Sequence, residues 1–314
     1  MPHTFFVTGG SGFIGSSFVQ HALKQGHQLQ VLTRSEKTAE KLRALGTTPI
    51  LGDMLQRGSW QAAAAEAQIV VHLAQPETYG ARITRKRAEK FRQERLKMDA
   101  NLFDALKPDA VRRIIYVGGT SYYGFQGEQL VGESAIPHPK GWGPYIAPAI
   151  ETLNSYMTRG WPIILAFPSW VYGPGSWFIE YTLDPLLQGK PIIKLTGSVK
   201  TISFVHVEDV ARALLHLSDH GVIGERYFIT DDQPRKRLVI GEIAAQVLGV
   251  PMKVLSLPLF LVKLAAGPVI ADSLLTEAKL SNAHLKATGF TFDYPTLEQG
   301  VADAIERWRS REVA

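Results

Sequence analysis

Apolar positions change period along the chain in a repeating way. Phe5–Val7 is a short apolar run that ends in a glycine-rich turn, "TGGSGFIG". Phe13, Ile14, Phe18, Val19, Ala22 and Leu23 then recur at helical spacing, and Gly26-His27 closes that helix. The next run, "LQVLT", alternates and then turns apolar, as a buried parallel strand does. This is strand, turn, helix, strand. Apolar runs at 5–7, 29–32, 69–73, 114–117 and 163–167, with helical stretches between them, predict a parallel sheet in an α/β fold.

One apolar stretch asks a different question. Residues 254–275, "VLSLPLFLVKLAAGPVIADSLL", are interrupted by Pro258, Lys263, Pro268 and Asp272. A membrane-spanning helix needs about 20 mostly apolar residues with few charges, so the expectation is no span but a helical pair lining an apolar pocket. With 45% hydrophobic and 20% charged residues among 314, the chain suits one large α/β domain or two closely joined ones. There is no cysteine, which excludes disulfides, thiolate metal ligands and a cysteine nucleophile, and accords with a reducing, cytoplasmic setting. The chain enters "TFFVTGG" almost at once, so no signal peptide is expected. The net charge of +5 mildly favours anionic ligands and makes no case for nucleic acid.

The opening turn carries chemistry. Gly9, Gly12 and Gly15 match three physical demands: a tight turn, close backbone approach to a pyrophosphate, and packing of helix on strand. Free N–H groups and the helix dipole then face the phosphates. The second strand leads to Arg34 about 20 residues on, where an acidic residue would favour the ribose 2′-OH of NAD and an arginine favours the 2′-phosphate of NADP. Arg34, Ser35 and Lys37 offer a planar fork, a hydroxyl and a point charge to that phosphate.

From here the chain resembles the extended short-chain dehydrogenase/reductase family, NAD-dependent epimerase/dehydratase-like. The likeness lies in "TGGSGFIG" (8–15), "GDM" (52–54), "VVHLAQP" (70–76), "YVGGTSYYG" (116–124), "FPSWVYGPG" (167–175), "FVHVEDVARAL" (204–214) and "LKATGFTFDYPTLEQGVADAI" (285–305). The resemblance implies a Rossmann doubly wound parallel sheet with a smaller C-terminal substrate-binding portion. It places the dinucleotide domain at 1–170 and the substrate portion at 171–314, with segments around 200–230 returning to the first. It further implies NADP(H) held by Gly9, Gly12, Phe13, Ile14, Gly15, Arg34, Ser35, Asp53, Met54, Leu73, Ala74, Gln75, Tyr145 and Pro168, with Asp53 facing the adenine. A homodimer is the family's habit.

The likeness breaks at the catalytic group. Active members use a Ser or Thr, a Tyr and a Lys; the lysine holds the cofactor ribose and lowers the tyrosine pKa. Here the tyrosine is Tyr145, the lysine position is Ala149, and the serine position is Gly119. The family's active-site Asn aligns near Arg95, and the Arg of the sixth-strand motif is Phe167. Thr120 replaces the serine only if the strand end twists, because adjacent strand positions face opposite ways. Pro144 and Pro148 flank Tyr145, and since proline suits only a first turn, the helix is expected to start near Ala147. Without the ammonium, a tyrosine of pKa about 10 carries phenolate in roughly one molecule in a thousand near pH 7. It is handicapped as a base for alcohol oxidation but already in the right form as an acid for carbonyl reduction.

Three readings stay open. The first is an NADP(H)-dependent reductase of a small carbonyl or related apolar or aromatic metabolite, with Tyr145 and Thr120 as catalytic candidates. The second is a non-redox NADP(H)-binding sensor or partner protein. The third is an epimerase, isomerase or lyase using bound cofactor. Residues 82–97 hold eight Lys/Arg and two Glu, the signature of a solvated helix, with Arg82, Arg85 and Arg95 as the functional alternative. Tyr122, Tyr123, Trp142, Trp170, Tyr172, Trp177 and Phe178 cluster at motif ends that converge on the nicotinamide in this fold, so each is either pocket wall or core. His206 and Asp209 read as structural, and no metal site is expected.

Overall fold

The computed structural model describes residues 2–78, 82–197 and 200–312. Seven parallel strands form the central sheet, in the order Arg226–Ile229, Ile163–Pro168, Arg113–Val117, Ile69–His72, Thr4–Thr8, Gln28–Thr33, Thr48–Leu51. Register is continuous across the middle: Val7 pairs with Val31 on one side and Val71 on the other. The inner strands are buried on both faces, as their unbroken apolar runs require. The chain order reverses between Thr4–Thr8 and Ile69–His72, which creates the crevice where ligands of doubly wound sheets bind. The five strands expected from periodicity are all present. Thr48–Leu51 and Arg226–Ile229 extend the sheet at its two edges.

Each face has its own core. On one, helices Phe13–Lys24 and Val207–His220 cover Phe5, Val7, Val31, Ile115 and Ile164. On the other, helices Arg85–Phe103 and Gly143–Thr158 cover Phe6, Val70, Ile114, Tyr116 and Leu165. A third core joins Tyr172, Phe178, Phe204 and Ile240 to helix Leu297–Glu312 through Leu297, Val301, Ala304 and Ile305.

Two expectations are corrected. The helix carrying Tyr145 spans Gly143–Thr158, four residues earlier than the expected start near Ala147. The Trp142 carbonyl accepts from the N–H groups of Tyr145 (3.0 Å) and Ile146 (3.2 Å), closing the first turn ahead of Pro148. Pro148 then removes one bond near the helix start, and the helix runs through it. The apolar stretch 254–275 does contain a helical pair, Leu259–Ala265 and Pro268–Ser273, but begins as strand Val254–Leu257 beside Ile192–Leu195. Val262 and Ala271 form a small core with Leu195 rather than lining the main cavity. Among the described residues no helix is long and apolar enough to cross a membrane.

Candidate active site

The glycine turn sits at the carboxyl end of Thr4–Thr8, beside the crevice. Gly9 has φ +71°, and a side chain there would come within 2.6 Å of the Ala74 backbone nitrogen. A Cβ at Gly15 would lie 2.1 Å from the Gly9 carbonyl oxygen. Both contacts are with backbone, so no larger residue fits. Gly12 caps helix Phe13–Lys24 with no side-chain acceptor on its first turn. The unclaimed N–H groups and the dipole there fit the pyrophosphate of a dinucleotide.

A closed ring of buried hydrogen bonds begins and ends on Ala74. Its N–H donates to Thr8 Oγ1 (3.2 Å), which lies 2.6 Å from His72 Nδ1. His72 Nε2 is 3.0 Å from Asp99 Oδ1, and Tyr116 OH donates to Asp99 Oδ2 at 2.7 Å. Arg95 Nε donates to Tyr116 OH (2.7 Å), and its terminal nitrogens donate to the carbonyls of Ala74 (2.9 Å) and Val117 (3.3 Å). Burial pushes the His72 pKa down and the Tyr116 pKa well up, so both are neutral. Burial also opposes the Asp99 charge, but Arg95, with His72 and Tyr116, holds the carboxyl below its ordinary value. Burial likewise works against the Arg95 charge, and Tyr116 and Asp99 more than offset it. The neutral imidazole therefore donates from Nε2 to Asp99 and accepts the Thr8 hydroxyl at Nδ1. One cation and one anion remain, 3.4 Å apart, and the cluster carries no net charge.

Beside this ring lies a cavity of about 260 Å³. Arg95, Gln75, Thr78 and Ser121 line it with Phe91, Trp142, Ile146, Ala149 and Ile150, over a floor at Tyr116–Gly119. Ala149 also borders a smaller void of about 50 Å³ reaching toward Asp99 and Tyr156. The strand ends at Val117, and residues 120–122 wind into a 3₁₀ turn. Strand alternation is lost there, and Ser121, rather than Thr120, faces the cavity. The Ser121 Oγ lies 3.5 Å from the point a Cβ at Gly119 would occupy, so a hydroxyl stands close to where the resemblance asks for one. Tyr145 is half-buried against Ile83, Ala88 and Val269, its ring 6.4 Å from that of Trp142, and it does not line the cavity.

The remaining residues singled out above divide by place. Phe13 and Ile14 open the first helix, and Leu73 and Ala74 follow Ile69–His72 at the crevice. Asp53 makes a turn by accepting the Leu55 N–H (2.9 Å), and the Met54 carbonyl accepts from Asn101 Nδ2 (2.7 Å). Pro168 ends its strand beside Ile229. Ser35 caps helix Glu36–Ala44 by accepting the Thr38 N–H, which leaves its hydroxyl proton to give. Arg34 forms an exposed ion pair with Glu77, next to the cavity residue Thr78.

The solvated-helix reading of 82–97 needs correction at one residue. Arg85 and Lys86 are exposed and Glu89 and Glu94 pair with Arg92 and Lys90, but Arg95 is 4% exposed. Its spacing from Asp99, i to i+4 with opposite charge, was the available signal. Thr8, His72, Asp99 and Tyr116 were missed because each sits inside an apolar run or a charged helix. Of the seven aromatics, only Trp142 lines the cavity. Tyr122 and Tyr123 pack on Phe167 behind its floor, so Phe167 is core rather than a replacement for the family's arginine. Asp209 accepts the N–H groups of Asp293 (2.9 Å) and Tyr294 (2.8 Å), tying its helix to the C-terminal segment, in keeping with a structural role. Among the described residues no His, Cys, Asp and Glu side chains group to hold a metal.

Known proteins share this fold. A profile of the NAD dependent epimerase/dehydratase family matches residues 5–230. The chain is 24% identical over 87% of its length to 82% of the 4-hydroxy-2-methyl-3-oxo-4-farnesyl-3,4-dihydroquinoline-1-oxide ketoreductase of Stigmatella aurantiaca. It is 24% identical over 83% of its length to 77% of a putative dihydroflavonol 4-reductase of Synechocystis. A UDP-glucuronic acid 4-epimerase from Bacillus cereus in complex with NAD superposes with TM-score 0.80 at 18% identity, covering 99% of this chain and 100% of that one. A human epimerase family protein with NADPH superposes with TM-score 0.78 at 19% identity, covering 96% and 99%.

Proposed function

The chain belongs to the NAD dependent epimerase/dehydratase family, and from that premise we propose that it is an NADP(H)-dependent reductase of a small carbonyl compound with an apolar or aromatic body. One observation carries the reading. Among the described residues, the side chains lining the cavity are apolar, aromatic or neutral polar apart from the guanidinium of Arg95, and they include no carboxylate and no lysine. Such a site offers hydrogen bonds to an oxygen that gains charge and no base to an alcohol that must lose a proton. The ketoreductase and the dihydroflavonol reductase among its relatives favour the same direction.

When bound, the nicotinamide supplies the hydride. The chain's own residues hold the rest. The turn at Gly9–Gly15 takes the pyrophosphate, and Arg34 and Ser35 take the 2′-phosphate. Ser121 donates its hydroxyl to the substrate oxygen, and the walls at Phe91, Trp142 and Ile146 exclude water. Tyr145 gives the proton. It stands on the same helix as Ala149, one turn earlier, with its ring 6.4 Å from that of Trp142, which lines the cavity. The test is NADPH oxidation by the purified protein over a panel of apolar ketones, aldehydes and quinones. Tyr145→Phe is expected to lower kcat by about 100-fold, and Ser121→Ala by roughly tenfold. Turnover indifferent to Tyr145→Phe removes the proton donor; no turnover on any member removes the reductase.

A second reading is favoured by a specific feature. Gly119 and Ala149 leave bare wall where the family's serine and lysine stand, and Tyr145 lies outside the lining. A protein that binds NADP(H) and reports its redox state needs no more than this. It binds the cofactor without turnover, and multiple turnovers on any metabolite exclude it.

A further inference from the structure

We propose that Arg95 has taken over the task of the lysine absent at Ala149, and that its guanidinium holds the nicotinamide-ribose hydroxyls of the bound dinucleotide. The inference rests on the cofactor reading above. Arg95 and Ala149 line the same cavity, one on each of the two helices that cover this face of the sheet. The cation lost from one helix is therefore present on the other.

The guanidinium is held in place before any ligand arrives. Among the described residues, three of its five N–H donors are engaged, by Tyr116 OH, the Ala74 carbonyl and the Val117 carbonyl. Each terminal nitrogen keeps a second N–H, on a side chain that forms part of the cavity wall. The charge balance says what those two donors take. Asp99 neutralises Arg95, while His72 and Tyr116 are uncharged. A phosphate or carboxylate would bring an anion into a buried cluster with no surplus positive charge. A pair of neutral hydroxyls brings none. Two donors on neighbouring nitrogens suit the vicinal hydroxyls of a ribose, and the planar fork aims them without the rotamer freedom of a lysine. The ring through Ala74 also ties Arg95 to the backbone that Gly9 approaches. The two ends of the dinucleotide site are thus set by one connected structure.

The test separates the nicotinamide end from the adenosine end. Dissociation constants of the full-length protein are measured by calorimetry for NADPH and for adenosine 2′,5′-bisphosphate, which lacks the nicotinamide riboside. Arg95→Met is expected to weaken NADPH about tenfold, or ~1.4 kcal/mol, while the bisphosphate changes less than about twofold. Arg95→Lys keeps a charge beside Asp99 and so keeps the fold if Arg95→Met does not; it is expected to weaken NADPH by roughly threefold with the bisphosphate unchanged. Ala149→Lys alone puts a second cation in the cavity and does not tighten NADPH, whereas in the Arg95→Met background it recovers most of the loss. The proposal is overturned if the NADPH-to-bisphosphate affinity ratio is the same in wild type and Arg95→Lys, or if Ala149→Lys tightens NADPH in the wild type. Failure of the cofactor reading has a different signature, a wild-type protein that binds neither ligand, and it sinks both.

Discussion

Asp99 and Asp231 are buried to nearly the same depth, 5% and 2% exposed, yet their acidities move in opposite directions. Burial opposes ionisation of both. At Asp99 the Arg95 guanidinium and the His72 and Tyr116 hydrogen bonds overcome it, and the pKa falls. At Asp231 burial prevails and the pKa rises to about 8. The Gln233 N–H reaches Oδ1 at 3.2 Å, while Oδ2 has no hydrogen-bond partner among the described residues. The same region holds Ser169 Oγ, Tyr172 OH and His206 Nε2, also without partners among the described residues. His206 Nε2 is 3.4 Å from Asp303 Oδ2, but burial pushes its pKa to about 4, so the contact is not an ion pair at neutral pH. Depth of burial does not decide charge; the supply of matched donors does. The matched cluster borders the cavity, and the unmatched one lies in the C-terminal core.

The matched cluster depends most on its anion. Asp99→Ala leaves Arg95 buried with no carboxylate and is expected to cost about 3–5 kcal/mol of unfolding free energy in urea; a loss under about 1 kcal/mol would show that the ring does not act as a unit. The next effect has the opposite sign. The folded state keeps the Asp231 proton well above the ordinary carboxylate range, so this group's contribution to stability declines as pH rises from 3.8 toward about 8. Asp231→Asn removes that decline and is expected to gain on the order of 2 kcal/mol at pH 8 and little at pH 4. Asp99 works the other way: its contribution is present above its unfolded pKa and is lost as pH falls through its depressed folded value. Melting temperature followed against pH for both variants reads the two signs, and parallel profiles would refute the contrast.

Two tyrosines differ in the same way. Tyr116 and Tyr172 are equally buried, but among the described residues only the Tyr116 hydroxyl is paired, donating to Asp99 and accepting from Arg95. Tyr116→Phe is expected to cost about 1–3 kcal/mol and Tyr172→Phe to be neutral or stabilising; equal costs would mean the Tyr172 hydroxyl is satisfied. The smallest effect belongs to an exposed pair. Glu77 competes for Arg34, so Glu77→Gln should change stability by less than about 1 kcal/mol. It should tighten NADPH roughly threefold at low ionic strength, a gain that salt screens out. Calorimetry at two salt concentrations reads it.

Much of the architecture was legible along the chain because it depends on neighbours in sequence. Unbroken apolar runs mark the inner strands, and a period of 3.6 marks the helices between them. The turn at Gly9–Gly15 is demanded by contacts of one short segment with its surroundings, and Arg34 directly follows the second strand. The edge strands Thr48–Leu51 and Arg226–Ile229 gave weaker signals: both are four residues long, and the first is partly exposed. The cavity end was legible only as a set of departures from the family's pattern. Ser121 enters the cavity because the strand stops at Val117 and the chain tightens into a 3₁₀ turn, a change alternation does not foresee. Arg95 looked like one of eight bases on a wet helix until the sheet brought Tyr116, Ala74 and Val117 to it.

By itself, then, the order of residues determined the sheet, its crevice and the dinucleotide turn, since backbone sterics and local periodicity act over a few positions. The charge of the cavity was decided only in three dimensions. Residues 8, 72, 95, 99 and 116 come from three strands and a helix, and their proton positions depend on one another across contacts that exist only once the sheet has closed.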